Sequence, residues 1–243
     1  APDFQGVIDR FDALREYDEL CRLNQKAPSI SSNLNIRPIL ASAESGSILE
    51  CDDIREIARA LKAISLTYNW LREVDKLNKS DNDNIQENFV HIPRLGRNLY
   101  VDEDLRLLLE TAFDTEGELS SSSFPELGKL RKEVAIMRKQ ILSRVESMLK
   151  SSQFSSMLEG KYFSEVNGRF VLPVQATHKN TVGIVHDSSR TGKTVYVEPK
   201  EVIEPTNDMK QKELLLKQEE TRILRSLSSK IMKNREDIEL SVS

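Results

Sequence analysis

Two long stretches with an apolar period near 3.6 bracket a segment whose period is 2, and that switch constrains the fold more than any other feature. Leu127, Leu130, Val134, Met137, Ile141, Val145 and Met148 recur at intervals of three and four, which predicts a long amphipathic helix. Pro125 suits its first turn, and Ser123 with Glu126 has the spacing of a capping box. Beyond Pro205, the stripe Leu216, Ile223, Leu227, Ile231 and Ile238 predicts a second helix over 208–240, on the order of 50 Å long. Both stripes are narrow and the other faces carry Lys, Glu and Arg, so each helix packs along one seam and stays wet elsewhere. Between them, 169–174, 181–186 and 194–198 read as three short strands. They are rich in β-branched and aromatic residues and bounded by Asn167-Gly168, His178-Lys179-Asn180 and Arg190-Thr191-Gly192. Their short connections predict an antiparallel sheet. Pro173 has no N–H to donate, which places its strand at an edge or a bulge.

Upstream, Phe4, Val7, Ile8, Phe11, Leu14, Tyr17 and Cys21 form the stripe of a first helix, followed by a loop at Ser31-Ser32-Asn33. After Gly46-Ser47, the stripe Ile54, Ile57, Ala58, Leu61, Ile64, Tyr68 and Leu71 predicts another, with Trp70 as packing. Residues 79–88 are polar and read as an exposed connection, and Asp102 is placed to cap a short helix holding Leu105, Leu107 and Leu108. With 38% hydrophobic, 30% charged and only 6% aromatic residues, the chain suits long solvated helices better than one broad core. The fold class is mainly α with a small β insertion. No apolar run approaches the ~20 residues a membrane span requires. Ala1-Pro2-Asp3 is not the opening of a signal peptide, and both ends read as cuts from a longer chain.

The sequence DSSRTGKT at 187–194 ends like a nucleotide-binding P-loop. A P-loop needs a glycine five residues before the Gly-Lys-Thr, and that position is Asp187. Val-Tyr-Val-Glu-Pro follows and favours a strand, whereas a P-loop opens a helix. His186-Asp187-Ser188 offers no triad either, because neighbours on a strand face opposite ways. His91, His178 and His186 have no metal-ligand spacing with Cys21 or Cys51, which read as small apolar residues. The expectation is no catalytic residue, no metal and no cofactor in this piece. What stands out is charge. Residues 161–200 hold six cations against three anions, in a chain of net charge −4. A basic tip on acidic helices suits a grip on phosphates, so Arg169, Lys179, Arg190, Lys193, Lys200 and His178 are the candidate nucleic-acid-binding residues. Such contacts position a backbone without reading bases. The plain alternative is a solvated hairpin with ordinary surface lysines.

Several motifs together resemble the middle of the type-two MutS proteins, relatives of the DNA mismatch-repair ATPase MutS. They are Gly168-Arg169-Phe170-Val171-Leu172-Pro173-Val174, Gly183-Ile184-Val185-His186-Asp187-Ser188-Ser189, Gly192, Thr194 and Val197-Glu198-Pro199. Upstream, Asn35-Ile36-Arg37-Pro38-Ile39-Leu40 resembles the loop before the family's second helical layer, and Phe113-Asp114-Thr115-Glu116-Gly117-Glu118-Leu119 its entry to the lever helix. The resemblance implies an elongated helical core at 1–122, an outgoing lever helix at 123–160, a small antiparallel β clamp at 161–204 and an antiparallel returning lever at 205–243. It implies a parent that binds ATP and Mg, with its ATPase and Smr nuclease domains beyond residue 243, and that forms a homodimer. The implied partner is DNA, branched or double-stranded, held by backbone phosphates in recombination control or repair; a ribosomal surface and a self-association module are the alternatives. A bacterial cytoplasm and a plant organelle both fit. Arg190-Thr191 stands where the family commonly has alanine-serine, which adds a charge.

Overall fold

The structure, a computed structural model, describes residues 4–29, 35–43, 47–77 and 89–242. The loop at Ser31-Ser32-Asn33, Gly46 and the whole of the polar connection 79–88 lie outside them. The chain divides into two compact units: Ala1–Ser123 with Thr221–Ser243, and Phe124–Glu220.

The first unit is built on α3 (Cys51–Leu77), which buries Ile54, Ile57, Ala58, Leu61, Ile64 and Leu71 as its stripe predicts. α5 (Glu103–Thr111) packs on it, capped by Asp102, whose side chain accepts from the Leu105 N–H at 2.8 Å. Leu105 and Leu109 are buried, whereas Leu107 points outward. α2 (Arg37–Ala43) is a helix where a loop is expected. The ends of the chain are stitched in by two serines. Ser228 Oγ of α9 (Lys200–Lys233) accepts from the Leu49 N–H at 3.0 Å, and Ser241 Oγ of α10 (Arg235–Ser241) accepts from the Tyr100 N–H at 2.7 Å.

α1 (Phe4–Arg22) departs from expectation. Ile8, Phe11 and Leu14 of its stripe are 51%, 65% and 63% exposed, while Leu20 and Glu16 are buried. The cause is α4 (His91–Leu95), whose first N–H groups have no helical partner. The Glu16 carboxylate accepts from the backbone N–H groups of Val90, His91 and Ile92 at 2.7, 2.9 and 2.8 Å. Turning Glu16 inward turns Phe11 and Leu14 outward. Leu20 then packs with Leu71, Val74, Phe89 and Ile92.

The second unit holds a four-stranded antiparallel sheet in the order β1-β2-β4-β3, formed by β1 (Ser164–Val166), β2 (Arg169–Gln175), β3 (Gly183–Ser188) and β4 (Thr194–Pro199). Phe170, Leu172, Val174, Val195 and Val197 pack against Ile141, Val145 and Met148 of α6 (Pro125–Lys150) and Val202 and Met209 of α9. α6 and the first part of α9 run antiparallel: Arg131 pairs with Glu220 at 3.2 Å, Glu133 with Lys212 at 2.7 Å, and Arg144 donates to the Glu201 carbonyl at 3.5 Å. α7 (Ser152–Ser155) follows α6.

Several local expectations need correction here. β1 has no apolar alternation; the Asn167-Gly168 turn, both residues at positive φ (51° and 70°), folds it back onto β2. Pro173 lies in an interior strand. Its carbonyl accepts from the Glu159 N–H, so the missing N–H faces the 157–159 segment, where the regular pairing of β1 has already ended at Ser164 and Val171. Thr181 and Val182 belong to α8 (Lys179–Val182), not to a strand. α9 starts at Lys200 and runs through Pro205, which cannot donate to the Glu201 carbonyl that Arg144 reaches; it ends at Lys233. Ser123 does not cap α6. Its hydroxyl donates to the Thr111 carbonyl, and Phe124 occupies the cap position.

Candidate nucleic-acid interface

The β3–β4 connection that carries Arg190 and Lys193 is a tight hairpin. Ser189 N–H donates to the Thr194 carbonyl at 2.8 Å, Gly192 N–H donates to the Ser189 carbonyl at 2.8 Å, and Gly192 sits at φ 70°. A side chain at Gly192 would be strained there, although nothing crowds it. Thr194 then begins a strand, so Gly192-Lys193-Thr194 closes a hairpin and opens no helix. Asp187 Oδ1 accepts from the adjacent Ser188 N–H at 2.7 Å.

The same hairpin is tied to the β2–β3 crossover, because the Ala176 N–H donates to the Lys193 carbonyl at 3.0 Å. His178 ends the 3-10 turn Ala176–His178 beside the hairpin that carries Arg190 and Lys193, whereas Lys179 starts α8 and its carbonyl accepts from the N–H of Gly183, which pairs with Pro199 at the other end of β4. Lys179, Arg190 and Lys193 are exposed, and none of them forms an ion pair among the described residues; His178 is half-buried. Lys200, also exposed, begins α9 after β4 has run its full length, about 17 Å away along the strand. The six candidates therefore do not form one patch.

Arg169 serves a different purpose. Its Nη1 donates to both carboxylate oxygens of Glu198 at 3.0 and 2.8 Å, and its Nη2 donates to Asn207 Oδ1 of α9 at 2.7 Å. The Glu198 side chain is 0% exposed and the Arg169 side chain 22%. His186 Nε2 lies 2.8 Å from the same carboxylate. A bulge between Val185 and Asp187 leaves His186 without a partner in the ladder. Three strands and α9 thus meet on one buried carboxylate. Sequence reading missed this network. Alternation from Val195 and Val197 does place Glu198 on the face away from the core, but only the β2–β4 register, Leu172 opposite Val197, brings Arg169 diagonally into reach.

Among the described residues, no group of three or more His, Cys, Asp or Glu side chains is placed to hold a metal, and no helix is long and apolar enough to cross a membrane. Neither Cys21 nor Cys51 forms a disulfide, and each is half-buried.

No family model matches the chain. Among curated proteins, it is 29% identical over 237 residues to the putative endonuclease MutS2 of Bacillus subtilis (strain 168), covering 97% of this chain and 29% of that protein. It is 28% identical over 240 residues to endonuclease MutS2 of Bacillus velezensis, with 97% and 29% covered. Against endonuclease MutS2 of Clostridioides difficile (strain 630), identity is 30% over 199 residues, which is 82% of this chain and 23% of that protein. The chain spans less than a third of the length of these relatives. Matches of this extent place the chain, over the region it covers, in the type-two MutS family.

Proposed function

We propose that this chain is the nucleic-acid-gripping part of a type-two MutS protein, and that Lys179, Arg190 and Lys193, with His178 beside them, contact backbone phosphates. The observation that carries this reading is that three exposed cations without acidic partners among the described residues are held on two connections of the sheet joined by the bond from Ala176 to Lys193. Point charges on flexible stems hold phosphates in any sequence, so the grip would be indifferent to base identity. Lys200 would add a separate contact at the far end of β4. Arg169, engaged by Glu198 and Asn207, would hold the sheet on α9 instead of touching the ligand.

In this reading the sheet acts as a clamp, α6 and α9 act as levers, and a parent ATPase that uses ATP and Mg drives them. The printed names of the relatives call them endonucleases; nuclease and ATPase work would then belong to other parts of a parent dimer, with DNA repair or recombination control as the setting. Electrophoretic mobility shifts with a four-way DNA junction, a linear duplex and a ribosomal RNA stem test the partner. The expected result is binding to the DNA forms that weakens as salt rises and falls markedly in the combined Lys179→Ala, Arg190→Ala, Lys193→Ala variant. Preference for the RNA stem would move the role to the ribosome. A chain that dimerises in sedimentation and binds no nucleic acid would make it a self-association module.

A further inference from the structure

α1 and α4 enclose a groove of about 690 Å³ in the first unit, remote in sequence from the cationic hairpin. Its floor is apolar: Ala13, Leu14 and Tyr17 from α1, and Ile92 from α4. The exposed side chains of Ile8 and Phe11 continue that surface along α1. From residue 8 to residue 17 the stripe runs about 14 Å, or two and a half turns of helix. An apolar strip of this kind on a charged, water-facing helix marks a docking surface.

The rim says what docks. Arg10 and Arg94 line the groove, both are exposed, and neither forms an ion pair among the described residues. That sets them apart, because Arg22, Arg55, Arg59 and Arg106 each pair with a carboxylate three or four residues away on their own helix. On the acidic side, Asp9 also lines the groove, Asp12 lies 3.9 Å from the His91 ring, and Glu16 is spent on the N-terminus of α4. The two guanidinium groups thus stand free beside an apolar floor, in a chain whose net charge is −4.

We infer that this groove receives an amphipathic helix of a protein partner, with leucine-like residues on the face that meets Leu14 and Tyr17 and carboxylates flanking that face to pair with Arg10 and Arg94. This is the helix-in-groove mode, in which apolar anchors supply affinity and rim charges select the partner. Trp70, the single tryptophan of the chain, reports on the groove directly. Its ring meets that of Tyr17 edge to face, with centroids 6.4 Å apart. A helix seated on Tyr17 changes the surroundings of Trp70.

The test titrates the chain with a synthetic helical peptide of about 18 residues, leucine at every third and fourth position and glutamate elsewhere, and follows Trp70 emission. Saturable change is expected, with binding weakened about tenfold or more in the combined Arg10→Glu, Arg94→Glu variant and strongly reduced in Leu14→Ser. Both changes lie on exposed positions, and circular dichroism checks that the variants keep their helices. A matched peptide with lysine for glutamate should bind much more weakly. The inference is overturned if the acidic peptide leaves Trp70 unchanged, if the lysine peptide binds equally well, or if charge reversal at Arg10 and Arg94 has no effect. It is also overturned if Trp70 emission instead follows the chain's own concentration and Phe11→Ser abolishes a dimer in sedimentation, because the occupant would then be a second copy.

Discussion

At Glu198 a carboxylate with no exposed surface accepts two hydrogen bonds from Arg169 and faces the His186 ring. Removing one partner of such a buried pair leaves the other uncompensated and typically costs about 3–5 kcal/mol. Glu198→Ala should therefore destabilise the second unit by about 3 kcal/mol in urea denaturation, and Arg169→Ala by a similar amount. A loss near zero for either variant would show that the network is not what holds the sheet to α9. Gly183 gives a second residue-scale expectation. A Cβ there would stand 1.8 Å from the Glu198 carbonyl oxygen, which is backbone and cannot step aside. Gly183→Ala should shift or break the β3–β4 register, read as lost protection of the Thr194–Glu198 amides from hydrogen exchange; unchanged protection would contradict the geometry. Neither point was open to sequence reading. A glutamate between a valine and a proline does not say that it is buried, and the need for glycine at 183 depends on the backbone of a strand eleven or more residues away.

Between α6 and α9 the ties are charged as well as apolar, and that sets a pH dependence. The Lys212 ammonium, hydrogen-bonded to Glu133, holds that carboxyl below its ordinary value of 4.5. A lowered carboxyl pKa stabilises the fold above 4.5 and stops doing so as pH falls through the lowered value, so acidification should loosen this helix pair. Glu133→Gln should remove that part of the acid dependence, seen as a smaller gap between denaturation midpoints at pH 6 and about pH 3. In the first unit, burial and the hydrogen bond to Asp102 push the Tyr100 phenol up from 10.0 to about 12. The raised value means a contribution present below pH 10 and lost as pH rises through about 12. Tyr100→Phe should flatten the alkaline fall in stability over that window, and an equally steep fall would contradict the assignment. Elements with long, one-sided stripes were legible: α3, α6 and the helix after Pro205 follow directly from spacing. α1 was legible as a helix but not in its rotation. Its stripe is a sound guide to helical period, yet the Glu16 cap on α4 decides which face turns in. The switch to period 2 located the sheet, whereas β1 depends on a two-residue turn and has no pattern of its own.

Across the whole molecule the charges are unevenly spread. The chain carries −4, but two connections of its sheet present Lys179, Arg190 and Lys193 without acidic partners among the described residues. The excess of cations was readable in the sequence; the separation of Lys200 and the diversion of Arg169 into the Glu198 network were not, because both follow from strand register. The account's central claim is that these three side chains hold phosphates, and salt tests it most directly. Each phosphate contact adds about 0.7–0.9 to the slope of log affinity against log salt concentration. The slope should be measured with a four-way DNA junction for the parent chain and for the combined Lys179→Ala, Arg190→Ala, Lys193→Ala variant. The account predicts a variant slope shallower by about 2–3 with helix and strand content unchanged. Parallel slopes and equal affinities for the two proteins would contradict it.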